Sequence, residues 1–238
     1  MQQTTPFPFA IVGFDLDGTL LDTSLDIGHA LNHALRTIGR PIVPVSQVHR
    51  LIGGGTGQTL RMGLLETGGA LPEDETAALQ DVLFAYYEDH IAEHTRLYPG
   101  GEAMLDALAA RGVTLAVATN KKEHLAKKLF AELGLSDRFA AILGGDSLGP
   151  GTSIKLRAKP APDLLHAMVA QAGGGSAAFV GDTTYDIGAA RAAAMPVVAV
   201  SFGFHDRPPH ELGADAVIDH FDALLPALER LFDQASPD

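Results

Sequence analysis

The stretch Phe9-Ala-Ile-Val-Gly-Phe-Asp15-Leu-Asp17-Gly-Thr-Leu20 decides how the rest of the chain is read. Its apolar run, Phe9 to Phe14, predicts a short buried strand that ends abruptly in two carboxylates and a glycine. Successive side chains on extended backbone alternate, so Asp15 and Asp17 are expected to point the same way. They leave the carboxyl end of the strand, where open α/β sheets place their chemistry. Two like charges held that close require a cation beside them or a proton on one of them. A helix cap or a turn accounts for one Asp and one Gly. It does not account for Asp-x-Asp-Gly-Thr closing an apolar strand.

With 238 residues, 46% of them apolar, the chain has room for one large domain or one domain carrying a smaller one. No apolar run approaches the ~18 residues of a membrane helix, and Met1 to Pro8 has neither a charged n-region nor an apolar h-region. The absence of cysteine removes disulfides, thiol catalysis and zinc–thiolate sites together. The expectation is a soluble cytoplasmic protein, monomeric or homodimeric, with no membrane partner. A formal charge of −12 argues against nucleic acid as a standing partner. It also opposes long-range steering of an anion, so an anionic substrate has to be held by local cations.

After Leu20 the pattern turns helical. Leu25, Ile27, Leu31, Leu35 and Ile38 predict a helix over 22–38, stopped by Gly39 to Pro41. Further helices are predicted at about 46–51, 56–66 and 73–95. Residues 22–97 therefore read as an all-helical insertion, and 1–21 with 98–238 as the core around it. From Tyr98 helices alternate with apolar segments at Val113 to Ala118, Ala140 to Leu143, Ala177 to Val180, Pro196 to Val200 and Ala216 to Ile218. That rhythm predicts an α/β fold, a Rossmann-like parallel sheet covered on both faces, with an inserted all-helical cap domain.

Three further clusters follow predicted strand ends, as Asp15 does. Thr119-Asn120 offers a hydroxyl, an amide and the N–H groups opening a helix, an anion cradle if it is more than a helix cap. Lys159, in Lys-Pro-Ala-Pro-Asp163, is either a surface residue or a point charge for a phosphate. Asp182 and Asp186, in Gly-Asp-Thr-Thr-Tyr-Asp, bring two more carboxylates to the side of the sheet that holds Asp15 and Asp17. Together these make an oxygen-rich site of the kind Mg²⁺ takes with carboxylates, waters and a substrate phosphate.

In order and context these four clusters match the motifs of the haloacid dehalogenase-like superfamily, which the sequence resembles over nearly its whole length. Val117-Ala-Thr-Asn-Lys121, Gly144-Gly-Asp146, Ile52-Gly-Gly-Gly55 and Ser201-Phe-Gly-Phe204 are similar to its phosphoglycolate phosphatase branch. The resemblance implies a Mg²⁺-dependent phosphatase acting on a small phosphorylated metabolite, 2-phosphoglycolate first among them. Asp15 would be the nucleophile and Asp17 the general acid and base. Asp15, Asp182 and the backbone carbonyl of Asp17 would ligate the metal, with Asp186 in support. Gly18, Thr119, Asn120 and Lys159 would hold the phosphoryl group. The stretch from Asp146 to Lys159 is longer than the family pattern and brings a competing cation, Lys155.

Rival activities on the same fold are a phosphomutase, a phosphatase for a sugar phosphate, nucleotide or pyrophosphate, and a dehalogenase, which needs no metal site. A phosphonatase would need a cap lysine, and residues 22–97 contain none. A non-enzymatic phosphometabolite-binding module would not need both Asp15 and Asp17. Within the insertion, Arg50 and Arg61 flank the Gly53 to Gly55 loop, and either is a candidate to bind a substrate carboxylate or else only solvates the cap surface. The loop with Gly55 is either a helix–helix connection or, as the resemblance implies, one that reaches the substrate. His29/His33 and His90/His94 have metal-ligand spacing but lie away from the carboxylates, and are expected to be packing or exposed residues.

Overall fold

A computed structural model describes residues 7–235; residues 1–6 of the expected core and 236–238 lie outside the described residues. The chain runs β1 (Ile11–Phe14), β2 (Leu21–Asp22), α1 (Ser24–Thr37), α2 (Val45–Val48), α3 (Thr56–Thr67), α4 (Glu73–Asp89) and β3 (Arg96–Leu97). It continues α5 (Gly101–Ala110), β4 (Thr114–Ala118), α6 (Glu123–Glu132), β5 (Ala141–Leu143), α7 (Asp163–Gln171) and β6 (Ala177–Gly181). It closes with α8 (Thr184–Ala192), β7 (Val197–Val200), β8 (Ala216–Ile218) and α9 (Leu224–Ala235).

Six strands form one parallel sheet in the order β5-β4-β1-β6-β7-β8. All four residues of β1 are buried. Val12 and Phe14 face one apolar cluster and Ile11 the other, as a strand covered on both faces requires. Chain order reverses at β1, which pairs with β4 on one side and β6 on the other. The crevice beyond such a reversal is where open α/β sheets bind ligands.

The all-helical insertion, α1 to α4, lies between the two strands of a separate antiparallel ribbon, β2 and β3. Leu21 pairs with Leu97 and Asp22 with Arg96. These strands were not predicted, because two residues are too few to show a period. The last helix of the insertion also ends at Asp89, well short of the expected 95. Beyond it, Asp26, a buried carboxylate on α1, accepts hydrogen bonds from the His94 and Thr95 N–H groups and from the Thr95 hydroxyl. Those bonds tie residues 94 and 95, expected to be helical, to α1 in non-helical backbone. Among the described residues no helix is long and apolar enough to cross a membrane.

Candidate active site

Asp15 extends β1 by one residue, its N–H donating to Val180 O on β6 at 2.9 Å. The expected strand-like alternation stops there. The Leu16 carbonyl accepts from the N–H groups of Leu20 and Leu21, so the chain coils into a tight turn. Asp15 and Asp17 still line one cavity, but they face different cations. Gly18 permits the turn: its φ is +84°, and a Cβ there would stand 2.3 Å from Asp182 Oδ2.

From the next strand, Asp182 reaches the same place. Its Oδ1 accepts from the Thr19 hydroxyl at 2.8 Å and its Oδ2 from Phe204 N–H at 2.7 Å. Asp186 forms a capping box with Thr183 at the start of α8, accepting from Thr183 N–H at 2.9 Å and its hydroxyl at 2.7 Å. The other oxygen of Asp186 takes the Lys159 ammonium at 2.5 Å. Both oxygens of Asp186 are thus engaged by the protein itself.

Lys159 is buried and also stands 2.8 Å from Asp15 Oδ1. Lys155 is exposed, in a stretch where Leu148 bridges to it, whereas Lys159 is the lysine buried against Asp15. Asn120 differs from expectation. Its side chain donates to Lys159 O at 3.1 Å and accepts from Lys159 N–H at 2.9 Å, so the amide positions Lys159 and is not left for a phosphate. Thr119 is buried on the cavity wall, and its hydroxyl accepts from Lys121 N–H at 3.3 Å.

Sequence reasoning missed Lys121. Its side chain is wholly buried, with Nζ 2.8 Å from both oxygens of Asp17, which also accepts from the Thr23 hydroxyl at 2.7 Å. Tyr87 of α4 lays its ring 4.8 Å from the same ammonium. The signal was available: Lys121 directly follows Thr119-Asn120, and four clustered carboxylates need more than one cation. Burial alone would lower the Lys121 pKa, but Asp17 beside it more than offsets that and raises it.

The charges do not close among the protein's own groups. Asp15, Asp17, Asp182 and Asp186 face Lys121 and Lys159, a formal excess of two negative charges. Burial, then the neighbouring Asp186, pushes Asp15 up to about 6 against the Lys159 attraction. Burial followed by Asp186 and Asp15 raises Asp182 well above the usual carboxylate range. Although Lys159 is close to Asp15 Oδ1, it lies off the hydrogen-bonding direction, and that buried oxygen has no aligned donor. Oxygen ligands from Asp15, Asp182 and Asp186 all fall within 4.8 Å of one another. A buried, all-oxygen cluster with two negative charges in excess fits a hard divalent cation.

The cap closes the top. Ile52, Gly53, Gly55, Thr56 and Thr59 line the cavity over Asp15 and Asp17. Gly55 has φ +86°, and a Cβ there would approach Asn120 O to 3.1 Å. The remaining cavity is about 10 Å³, room for about one water. Arg50 and Arg61 do not line it. Arg50 pairs with Glu66 at 3.0 Å and Arg61 with Glu73 at 2.6 Å, all on the exposed outer surface of the cap. The expectation that either meets a substrate carboxylate finds no support in this geometry.

The family model of haloacid dehalogenase-like hydrolases matches residues 12–200. A phosphoglycolate phosphatase of Agrobacterium fabrum is 40% identical over 93% of this chain and 92% of its own. One from Mesorhizobium japonicum is 38% identical over 93% and 96%. Among solved structures, a predicted phosphoglycolate phosphatase from Haemophilus somnus superposes with a TM-score of 0.81 at 30% identity, covering 92% of this chain and 97% of that one.

Proposed function

The chain belongs to the haloacid dehalogenase-like hydrolase family and is a phosphatase, and on that premise we propose that it hydrolyses 2-phosphoglycolate to glycolate and phosphate, with Mg²⁺, through a phosphorylated Asp15. The observation that carries the mechanism is the Asp15 carboxylate, buried at the sheet's switch point with one oxygen free of any aligned donor. The substrate rests on the relatives' names.

In the first step an Asp15 oxygen bonds to phosphorus as the bond from phosphorus to the ester oxygen breaks, and Asp17 delivers a proton to the departing oxygen. In the second, water attacks phosphorus, Asp17 takes its proton, and the Asp15–phosphorus bond breaks. Thr119 and Lys159 hold the transferring oxygens, Lys159 itself fixed by Asp186 and Asn120. Asp15, Asp182 and the Asp17 backbone carbonyl would hold Mg²⁺, which when bound neutralises phosphoryl charge facing the nucleophile.

A cavity of about 10 Å³ cannot admit phosphoglycolate. Residues 22–97 therefore act as a cap that swings on the β2–β3 ribbon against a core of 1–21 and 98–238, opening for substrate and closing to exclude stray water. Phosphate release is the test, measured on phosphoglycolate, sugar phosphates, nucleotides and pyrophosphate, with Mg²⁺ and with EDTA. Preferential, EDTA-sensitive release from phosphoglycolate is expected. Release only from the other esters would reject the substrate, and release indifferent to EDTA would reject the metal.

A further inference from the structure

Lys121 is the one cation among the described residues lining the cavity over Asp15 and Asp17. Lys159 is committed to Asp15 and Asp186 at the phosphoryl end. A second wholly buried lysine is costly, because an ion pair taken out of water gains little net stability, and Thr23 already holds Asp17. Lys121 has three N–H donors. Two go to Asp17, and the remaining side of the ammonium faces Tyr87. Among the described residues, the buried Tyr87 hydroxyl on that side has no other partner than this ammonium. From the cap, α3 begins at the cavity wall with Thr56 and has no side-chain cap. Gln58 and Thr59 N–H donate to Gly55 O, which leaves only the Thr56 and Gly57 N–H groups open among the described residues.

Lys121 and the start of α3 both line the cavity where the leaving group must sit. Asp17 protonates the ester oxygen, so that oxygen lies against Asp17. In phosphoglycolate the carboxylate is one methylene from it and arrives beside Lys121. We propose that Lys121 is a specificity-determining residue that binds the carboxylate of the leaving group, with the start of α3 closing over that carboxylate from the cap. The proposal rests on the phosphoglycolate reading above. It replaces the cap arginines as the source of the second charge with a lysine from the core. An anion placed next to Asp17 without Lys121 would meet only like charge.

The test compares 2-phosphoglycolate with its amide, 2-phosphoglycolamide, which has the same shape and no second charge, in wild type and in Lys121→Gln and Lys121→Met. Gln keeps a hydrogen bond to Asp17, and thermal melts establish that each variant is folded. Wild type is expected to prefer the acid in kcat/KM. Losing one charge-assisted contact should reduce that preference about ten- to a hundredfold. A merely structural lysine would depress both substrates together and leave the ratio unmoved; that result overturns the proposal. Wild type turning over acid and amide equally well overturns it too, while leaving the phosphatase standing. Wild type that hydrolyses other esters and not phosphoglycolate overturns the substrate reading along with it.

Discussion

Replacing the nucleophile should make the metal-free protein more stable while it destroys turnover. The Asp15 carboxyl is buried, and its pKa is raised from 3.8 to about 6 by desolvation and then Asp186, despite Lys159. A raised carboxyl pKa means that the folded state resists ionisation. The penalty is absent below the unfolded value of 3.8, grows between there and about 6, and is complete above it. At about 1.4 kcal/mol per pH unit, that gap amounts to about 3 kcal/mol. Asp15→Asn removes the charge at nearly constant shape and escapes the penalty. In EDTA at pH 7.5 the variant should melt about 6–12 °C above wild type, from about 2–4 °C per kcal/mol for a chain of this size. The difference should shrink toward zero near pH 4. Added Mg²⁺ should raise the melting temperature of wild type, by mass action on the folded state, more than that of the variant. Phosphate release by the variant should be abolished. The assay is thermal unfolding across pH with and without EDTA, paired with steady-state kinetics. A variant that melts at or below wild type in EDTA at pH 7.5 would show that Lys159 already compensates Asp15, and the reasoning would fail.

Gly18→Ala should lower both stability and Mg²⁺ affinity: φ of +84° costs an L-residue about 1–2 kcal/mol, and the new methyl group would press on Asp182 Oδ2 at 2.3 Å. Melting temperature and a Mg²⁺ activation curve check it, and unchanged activation would show that the turn has room to yield. Arg50→Ala and Arg61→Ala should leave the preference among phosphate esters intact, because both guanidinium groups are held by Glu66 and Glu73 on the cap exterior. Kinetics on an acidic and a neutral ester decide this, and a selective loss on the acidic one would restore an arginine to the site.

Much of this molecule was legible from local pattern. The apolar runs before Asp15 and Asp182 read as strands because a parallel strand is buried on both faces and leaves a continuous apolar signature. The Thr183-Asp186 cap is written within four residues of chain. The carboxylates could be assigned to one end of the sheet because every parallel strand delivers its carboxyl end to the same edge. Where prediction missed, the deciding contact was distant in sequence or the element too short to have a period. The segment after α4 is held by Asp26, 69 residues before Thr95. The ribbon of β2 and β3 has two residues a side.

By itself, then, the sequence determined the layer architecture, the helical insertion and the inventory of charged groups, since each follows from periodicity and from residue type. Only the tertiary structure decided who neutralises whom. Lys121 meets Asp17 across 104 residues and Lys159 meets Asp186 across 27, while Arg50 and Arg61, beside the cap loop in sequence, are drawn outward by Glu66 and Glu73. Charge partners are chosen by distance and burial in three dimensions, because the Coulomb attraction and the cost of leaving water both depend on position in the fold.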